Sequence, residues 1–157
     1  MGKLTTCLWF DGNAEEAARF YASIFKGTKI GKVTRYGKAG PGPLGKAMTV
    51  PFRLNGQDFL GLNGGPHFKF NEAVSFIVNC KTRKEIDYYW KKLSKDGKEV
   101  QCGWLKDKFG LSWQVVPEDM GKMMQDKDPK RSARVMEALL QMVKLDIKKL
   151  KQAYKQS

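Results

Sequence analysis

Few side chains in this sequence have the types and spacing that catalysis or metal binding requires. His67 is the only histidine among 157 residues, and no histidine or glutamate accompanies it at the HxxxH or ExxH spacing of helical metal sites. Asp58 and Glu72 fall at the ends of predicted strands, where we expect solvated carboxylates and not an acid–base pair. We interpret His67 as a surface or packing residue, with a functional role as the alternative.

The three cysteines, Cys7, Cys80 and Cys102, each fall in a predicted strand. An odd number of cysteines in a domain of this size indicates reduced core thiols of a cytoplasmic protein, not a disulfide framework. A reactive thiolate needs a cationic neighbour that lowers its pKa, and no histidine stands near any of the three in the sequence.

The clearest local pattern is QCGWLKDKFGLSWQVVP, residues 101–117, which predicts a strand, a tight turn and a strand. Asp107 and Gly110 supply the turn, because aspartate bonds to its own backbone and glycine tolerates a positive φ. Beyond the turn, apolar side chains recur at every second position, as in a half-buried strand. Trp113 and Gln114 therefore face opposite ways.

Apolar periodicity and turn residues predict the remaining elements. The predicted strands are 4–10, 29–36, 48–54, 59–62, 73–80 and 99–102. The predicted helices are 14–25, a second helix that follows Lys81 and Thr82 and stops at Asp96 and Gly97, and 128–154. Asn13 and Glu16 have the spacing of a capping box at the first helix. Asn55 and Gly56 predict a two-residue hairpin turn.

Residues 40–45, GPGPLG, fit the letters of the dinucleotide-binding fingerprint. That fingerprint needs backbone N–H groups at the start of a helix that follows a core strand. Here two prolines remove donors and a strand follows, so we interpret the segment as an exposed loop. A flap over a pocket is the functional alternative.

The charge of the chain is strongly positive, at +13. A basic surface attracts phosphate whatever the sequence. However, zinc-finger spacing and RNA-binding aromatic signatures are missing, and lysine outnumbers arginine, so we expect no specific nucleic acid partner. The sequence contains no apolar run of eighteen residues, so it predicts no membrane span. Residues 1–13 lack the long apolar region of a signal peptide.

An internal repeat organises the chain. Strand, helix and strands occur over residues 4–63 and again over 73–117, with the helices superposing at an offset of 69 that matches Glu16 with Glu85 and Tyr21 with Trp90. Two βαβββ modules predict an α+β domain, residues 1–120, with a curled mixed sheet. The helix at 128–155 is predicted to dock on this domain or on a partner chain.

The repeat resembles the vicinal oxygen chelate superfamily, which includes glyoxalase I, bleomycin and fosfomycin resistance proteins and extradiol dioxygenases. Within it, LWFDGNAEEAARFYASIF, LNGQDFLGLNGGPHFKFNEAVSFIV and QCGWLKDKFGLSWQVVP resemble the demethylubiquinone methyltransferase-like branch. The resemblance covers residues 4–117 and the C-terminal helix. It implies a sheet cup, frequent homodimers, and in the enzymes a divalent metal held by His, Glu or Gln from the first and last strands.

Carried over by position, the metal-ligand set of the superfamily falls on Thr6, Gly61, Ser75 and Gln114. A first-row dication needs three or four converging N, O or S ligands, and only Gln114 keeps a ligand type of the superfamily. We therefore expect no metal. We expect no cofactor either, because no glycine-rich loop joins a buried strand to a helix in the pattern that nucleotide-type cofactors require.

Two functions from different classes remain. The first is a metal-free protein that binds a small, partly apolar molecule in the cup. The alternative is an enzyme of the superfamily, either metal-dependent or a methyltransferase as the branch name implies. The predicted ligand-binding residues are Thr6, Gly61, Asn63, Trp104 and Gln114.

The facing of these residues follows from strand alternation. With Gln114 in the cup, Trp113 faces the helices, and on the equivalent strand Gly61 and Asn63 are expected to point into the cup. Trp104 is expected either in the cup wall or in the core. Because the edges of a curled sheet must be paired or covered, we also expect a homodimer.

Overall fold

The chain folds as two units, and the boundary between them in the sequence lies between Phe70 and Asn71. The structure, a computed structural model, describes residues 2–156. In each unit the first strand runs parallel to the last strand, and the remaining strands follow antiparallel. This repeated order confirms the prediction of an α+β fold made of two βαβββ modules.

The first unit has one sheet and one helix. Its elements are β1 (Thr6–Phe10), α1 (Ala14–Ile24), β2 (Lys29–Ile30), β3 (Thr34–Arg35), β4 (Ala47–Leu54) and β5 (Gln57–Asn63). The strand order is β1-β5-β4-β2, with β3 also paired to β4. Asn55 and Gly56 both have positive φ, so the predicted hairpin between β4 and β5 is confirmed.

The strand predicted over 29–36 is instead the two short strands β2 and β3. The interruption lies opposite Pro51 of β4, whose carbonyl accepts a hydrogen bond from the Gly31 N–H at 2.8 Å. Proline has no N–H to return a bond to its neighbour. The ladder therefore breaks here, and the register shifts at Thr34 and Arg35.

The core of the first unit lies between the sheet and α1. Every third or fourth residue of α1 is buried, which is the period of a helix with one apolar face. The buried members are Ala14, Ala17, Ala18, Tyr21 and Ile24 on α1, with Leu8, Phe10, Val50, Phe52 and Phe59 on the sheet.

The second unit repeats this plan and adds three helices. Its elements are β6 (Ser75–Cys80), α2 (Arg83–Leu93), β7 (Lys98–Glu99), β8 (Trp104–Lys106), β9 (Ser112–Pro117), α3 (Met120–Met124), α4 (Pro129–Leu140) and α5 (Ile147–Lys155). The strand order is β6-β9-β8-β7. Thr82 and Glu85 form a capping box at the start of α2.

The turn between β8 and β9 is built around the buried Asp107. Its carboxylate accepts hydrogen bonds from the N–H groups of Phe109 and Leu111 and from the indole N–H of Trp113, at 2.9, 3.1 and 2.9 Å. Gly110 has φ 86°, the left-handed conformation that the sequence predicted. The turn thus fixes the register of the strands that carry Trp104 and Gln114.

The prediction of a single helix over 128–154 is wrong. The helix ends at Leu140, and a new helix starts behind Asp146, whose side chain accepts hydrogen bonds from the N–H groups of Lys148 and Lys149. The connection is held to the rest of the unit, because the Met142 carbonyl accepts a hydrogen bond from the Cys102 N–H at 2.7 Å. The two helices pack around a shared cluster of Met123, Val135, Leu145 and Leu150.

The cysteines are free thiols, but not all of them lie in the core. Cys80 is buried, and burial raises its pKa to about 12. Cys7 is exposed, and Cys102 lies in a turn with φ 61° and not in a strand, so the prediction of three core thiols in strands holds only for Cys80. Among residues 2–156, no helix is long and apolar enough to cross a membrane.

Candidate functional site

Gln114 lies on the face of the second sheet that is not buried under α2. The register puts it between Ile77 of β6 and Trp104 of β8, and Ile77 is 56% exposed. Trp113 lies on the opposite, buried face, paired with Leu105. The predicted facing of Trp113 and Gln114 is confirmed, and Trp104 shares the face of Gln114 without a bulge.

Two hydroxyl groups accompany Gln114 on this face. Its side-chain amide N–H donates to the Ser75 hydroxyl at 2.9 Å, which leaves the amide oxygen as an acceptor. Ser112 lies two residues before Gln114 and opposite Ser75. The Ser112 hydroxyl is buried and has no hydrogen-bond partner within residues 2–156. We call Ser75, Trp104, Ser112 and Gln114 the Gln114 face.

An ion pair borders the Gln114 face. Lys106, which is opposite Ser112 in the register, contacts Glu72 at 2.5 Å. The hydrogen bond from Lys106 holds the pKa of the Glu72 carboxyl below its usual range. Glu72 is therefore a charged partner of Lys106 and is not poised to exchange protons near neutral pH.

Gly61 and Asn63 were expected to point into the cup, but in the structure they lie on the side of the sheet that faces α1. A Cβ on Gly61 would lie 3.1 Å from the Cβ of Ala14 in α1, and the Asn63 side chain accepts a hydrogen bond from the Ala14 N–H at 2.9 Å. Thr6 pairs with the buried Phe59 and so lies on this helix side too. The expected facing of Gly61 and Asn63 is wrong.

The cause is a one-residue error in aligning the modules. When the last residues of the paired strands are matched, Asn63 corresponds to Pro117, and the counterpart of Gln114 is Leu60. The side chain opposite Leu60 is Cys7. The first unit therefore has a thiol and a leucine where the second unit has Ile77 and Gln114.

Asn63 has a structural role that sequence reasoning missed. Its buried amide accepts from the Ala14 N–H and donates to the Ala47 carbonyl, each at 2.9 Å. It thereby caps α1, while the predicted cap Asn13 makes no side-chain capping bond. The Tyr36 hydroxyl also donates to the Asn63 carbonyl. The sequence signal for this role is a polar residue at a strand position where the alternation of the strand predicts a buried side chain.

A separate cavity of about 830 Å³ opens in the first unit, beside the start of α1. Asn63 and His67 line it, together with the glycine- and proline-rich loop before β4. That loop is packed tightly, because a Cβ on Gly42 would lie 2.3 Å from the Tyr36 ring. The cavity therefore has preformed walls, and it is lined by His67 together with charged residues such as Glu15, which the sequence did not connect with this histidine.

The residues present do not fit the metal of the superfamily. Within the described residues, no three His, Cys, Asp or Glu side chains come together. By this alignment the positions of the superfamily ligands hold Cys7, Leu60, Ile77 and Gln114, and one thiol and one amide are not a set that holds a first-row dication. No step through a metal follows from this site.

An S-adenosyl cofactor does not fit either. The loops that lead from a strand into a helix within residues 2–156 are 11–13, 81–82 and 118–119, and they contain one glycine, Gly12. The first N–H of the helix behind Gly12 already donates to Asn63. These loops lack the glycine-rich backbone that such a cofactor requires.

Comparison with known proteins gives a family and a fold. The family model of 3-demethylubiquinone-9 3-methyltransferase matches residues 2–116. A PhnB protein from Bacillus cereus is 39% identical over 74% of this chain and 99% of its own, with a TM-score of 0.67. Protein PA1353 from Pseudomonas aeruginosa is 19% identical over 75% and 98%, with a TM-score of 0.62.

The fosfomycin resistance protein FosX from Listeria monocytogenes has the same fold, at 13% identity over 80% of this chain and 98% of its own, with a TM-score of 0.52. This agrees with the resemblance to the vicinal oxygen chelate superfamily. No curated protein matches the chain.

Proposed function

The chain belongs to the 3-demethylubiquinone-9 3-methyltransferase family, a branch of the vicinal oxygen chelate superfamily, and we propose that it binds a small organic molecule without a metal, on the Gln114 face. One observation supports this most. The Ser112 hydroxyl is 1% exposed and unpaired within the described chain, and a buried polar group without a partner is costly. A polar atom of a ligand would supply the missing bond.

The surrounding groups define the class of ligand. Trp104 is half-buried beside Gln114, and an indole of this kind packs well against a ring of the ligand. The amide oxygen of Gln114 accepts a donor from the ligand, and its orientation is fixed because the amide N–H is held by Ser75. We therefore propose a ligand with an apolar ring and one or two polar groups.

The alternative is an enzyme, and the family description names a methyltransferase. Calorimetry with S-adenosylmethionine tests this alternative, and we expect no binding at millimolar concentration because the strand-to-helix loops do not fit the cofactor. Metal analysis of protein purified without an affinity tag tests the metal-dependent enzyme. One equivalent of metal that survives dialysis and is lost in Gln114→Leu would contradict the proposal.

We also propose that the chain is a cytoplasmic homodimer. Free cysteines at positions 7, 80 and 102 support a reducing compartment. In the second unit β6 is an edge strand, and it carries the exposed Ile77. A second copy that covers this edge would satisfy its backbone groups. Light scattering at tens of micromolar tests the dimer, and a mass near 18 kDa would reject it.

The binding experiment uses the intrinsic tryptophan fluorescence of the chain, to which Trp104 contributes, and a panel of ring-bearing acids, phenols and amides as probes. We expect at least one probe to bind the native protein and to lose at least tenfold in affinity in Gln114→Leu. Gln57→Leu, an exposed glutamine of β5, is the matched control and is expected to bind normally. If His67→Ala abolishes binding and Gln114→Leu does not, the ligand occupies the cavity of the first unit and the proposed site is wrong.

A further inference from the structure

We propose that the second unit binds the phosphate backbone of double-stranded nucleic acid, without sequence preference, in a groove between the start of α2 and α5. The groove has a volume of about 400 Å³. Five cationic side chains line it, Lys81, Arg83, Lys148, Lys151 and Lys155, and no carboxylate side chain of residues 2–156 does. We call it the lysine groove. It is distinct from the Gln114 face, since the two share no residue.

The lysines of α5 form one wall because of their spacing. Lys148, Lys151 and Lys155 are three and four residues apart, so they share one face of the helix. The opposite face is used inside the unit, where Leu150 is fully buried and the Tyr154 hydroxyl donates to Asp126. The wall is therefore held in place by packing and is not a fraying helix end.

A second anchor fixes the end of α5. The Arg134 guanidinium of α4 donates to the Ala153 carbonyl at 3.1 Å and to the Gln156 carbonyl. These bonds satisfy carbonyls that the end of a helix leaves unpaired. The cationic wall is thus preformed, which lowers the ordering cost of binding a ligand.

The positive charge of the groove is only partly neutralised. Lys151 contacts Asp119 at 3.2 Å, and Arg83 contacts Asp87 at 3.7 Å. Lys81, Lys148 and Lys155 form no ion pair with any residue that the structure describes. Since α5 itself contains no acidic residue, its like charges repel one another. An external anion would relieve that repulsion.

The start of α2 does not provide the attraction. Its capping box is complete, because the Glu85 carboxylate accepts from the N–H groups of Lys81 and Thr82. A phosphate would therefore be held by the side chains on the two walls and not by free N–H groups of the helix.

The arrangement favours a polymer over a single phosphate. From Lys148 to Lys155 the helix rises about 10 Å, and the other wall adds Lys81 and Arg83, so a repeating anion is needed to reach all five cations. No aromatic ring lines the groove, so unstacked bases find no platform and the backbone of a duplex is the better fit. A lipid surface fits less well, because Leu150 and Tyr154 are turned inward and leave no apolar face to insert.

The test is fluorescence anisotropy with a labelled 24-base-pair DNA duplex, at salt concentrations from 25 to 200 mM. If all five cations contact phosphates, the slope of log K against log salt is about −4.5, at about −0.9 for each contact. A triple variant that combines Lys148→Gln, Lys151→Gln and Lys155→Gln removes three of these phosphate contacts. We expect this triple variant to lose at least tenfold in affinity at 50 mM salt and to have a slope of about −1.8.

The matched control removes three exposed lysines of the first unit, Lys26, Lys29 and Lys32, by the same substitution. Its net charge equals that of the first triple variant, so an equal loss would show that total charge, and not the groove, drives binding, and would overturn the proposal. Absence of binding by the native chain at 50 mM salt would overturn it too. The proposal would also be overturned if the native chain bound vesicles with one-third phosphatidylserine and the groove variant lost that binding while its duplex binding was unchanged. Circular dichroism checks that both variants are folded.

Discussion

Replacing Asp107 by alanine is the most direct test of what holds the Gln114 face together. The Asp107 side chain is 3% exposed and accepts three hydrogen bonds from Phe109, Leu111 and Trp113. Two of these donors, the Leu111 N–H and the Trp113 indole, are in buried positions. A buried donor left unpaired costs about 1–3 kcal/mol. Asp107→Ala should therefore lower the free energy of unfolding by about 2–6 kcal/mol, a large share of a typical domain's roughly 5–15 kcal/mol.

The effect is measured by urea unfolding followed by tryptophan fluorescence. The midpoint should fall while the slope m stays unchanged, because the surface exposed on unfolding is the same. Asp107→Asn keeps one oxygen for the backbone donors but loses the charge, so we expect a smaller loss of about 1–3 kcal/mol. Asp11→Ala, at an exposed aspartate, serves as the control and should change stability by less than about 0.5 kcal/mol. If Asp107→Ala stays within about 1 kcal/mol of the native protein, the stability of the turn does not depend on the Asp107 carboxylate.

Three further predictions concern facing, thiol chemistry and pH. Trp113→Ala should lower the free energy of unfolding by about 3–5 kcal/mol through a core cavity, whereas Gln114→Leu should leave the melting temperature within a few degrees; calorimetry that gives the reverse ranking would invert the assigned faces. Iodoacetamide at pH 8 should modify Cys7, which is exposed, and spare the buried Cys80, as peptide mass spectrometry would reveal; equal labelling of both in the folded chain would contradict the burial. Because burial raises the pKa of Cys80 to about 12 from 9.0, the neutral thiol is favoured in the fold, so its contribution to stability is full below pH 9 and declines from pH 9 towards 12. Cys80→Ala should remove this part of the alkaline decline in urea titrations, and an unchanged decline would assign it to other groups.

Local patterns in the sequence predicted the features that local chemistry decides. The hairpin at Asn55 and Gly56 and the turn at Asp107 and Gly110 depend on residues that are one and three positions apart in the sequence, and both were found as expected. The repeat predicted two βαβββ modules in an α+β fold, because strands of alternating pattern around one amphipathic helix have few ways to pack, and both units have this arrangement. The facing of Gln114 followed from alternation within a single strand.

Features that depend on distant partners were out of reach. The cap of α1 comes from Asn63, 49 residues beyond Ala14, so the nearer Asn13 looked like the cap. In the C-terminal region, the apolar spacing continued through the break at 141–146 and gave a single helix. Val143 lies four residues from both Leu139 and Ile147, the spacing of one helix face, but it is 45% exposed, whereas Leu145, outside that spacing, is buried. The N–H groups of Cys102 and Gly103 donate hydrogen bonds to the carbonyls of Met142 and Val143, and these distant partners explain why the chain turns there.

The two modules have kept the same fold while their exposed sheet faces have diverged in chemistry. The paired positions that hold Ile77 and Gln114 in the second unit hold Cys7 and Leu60 in the first. The helix-side positions are under packing constraints in both units, with Phe10 and Cys80 buried at the ends of the first strands. A sheet position that packs against a helix tolerates little change in volume, while a position on the other face is free to exchange a metal ligand for an apolar side chain. A substitution on that open face therefore requires no change in the core. In the second unit this face presents Gln114, which is oriented by Ser75 and lies beside Ser112, whose hydroxyl has no hydrogen-bond partner within residues 2–156.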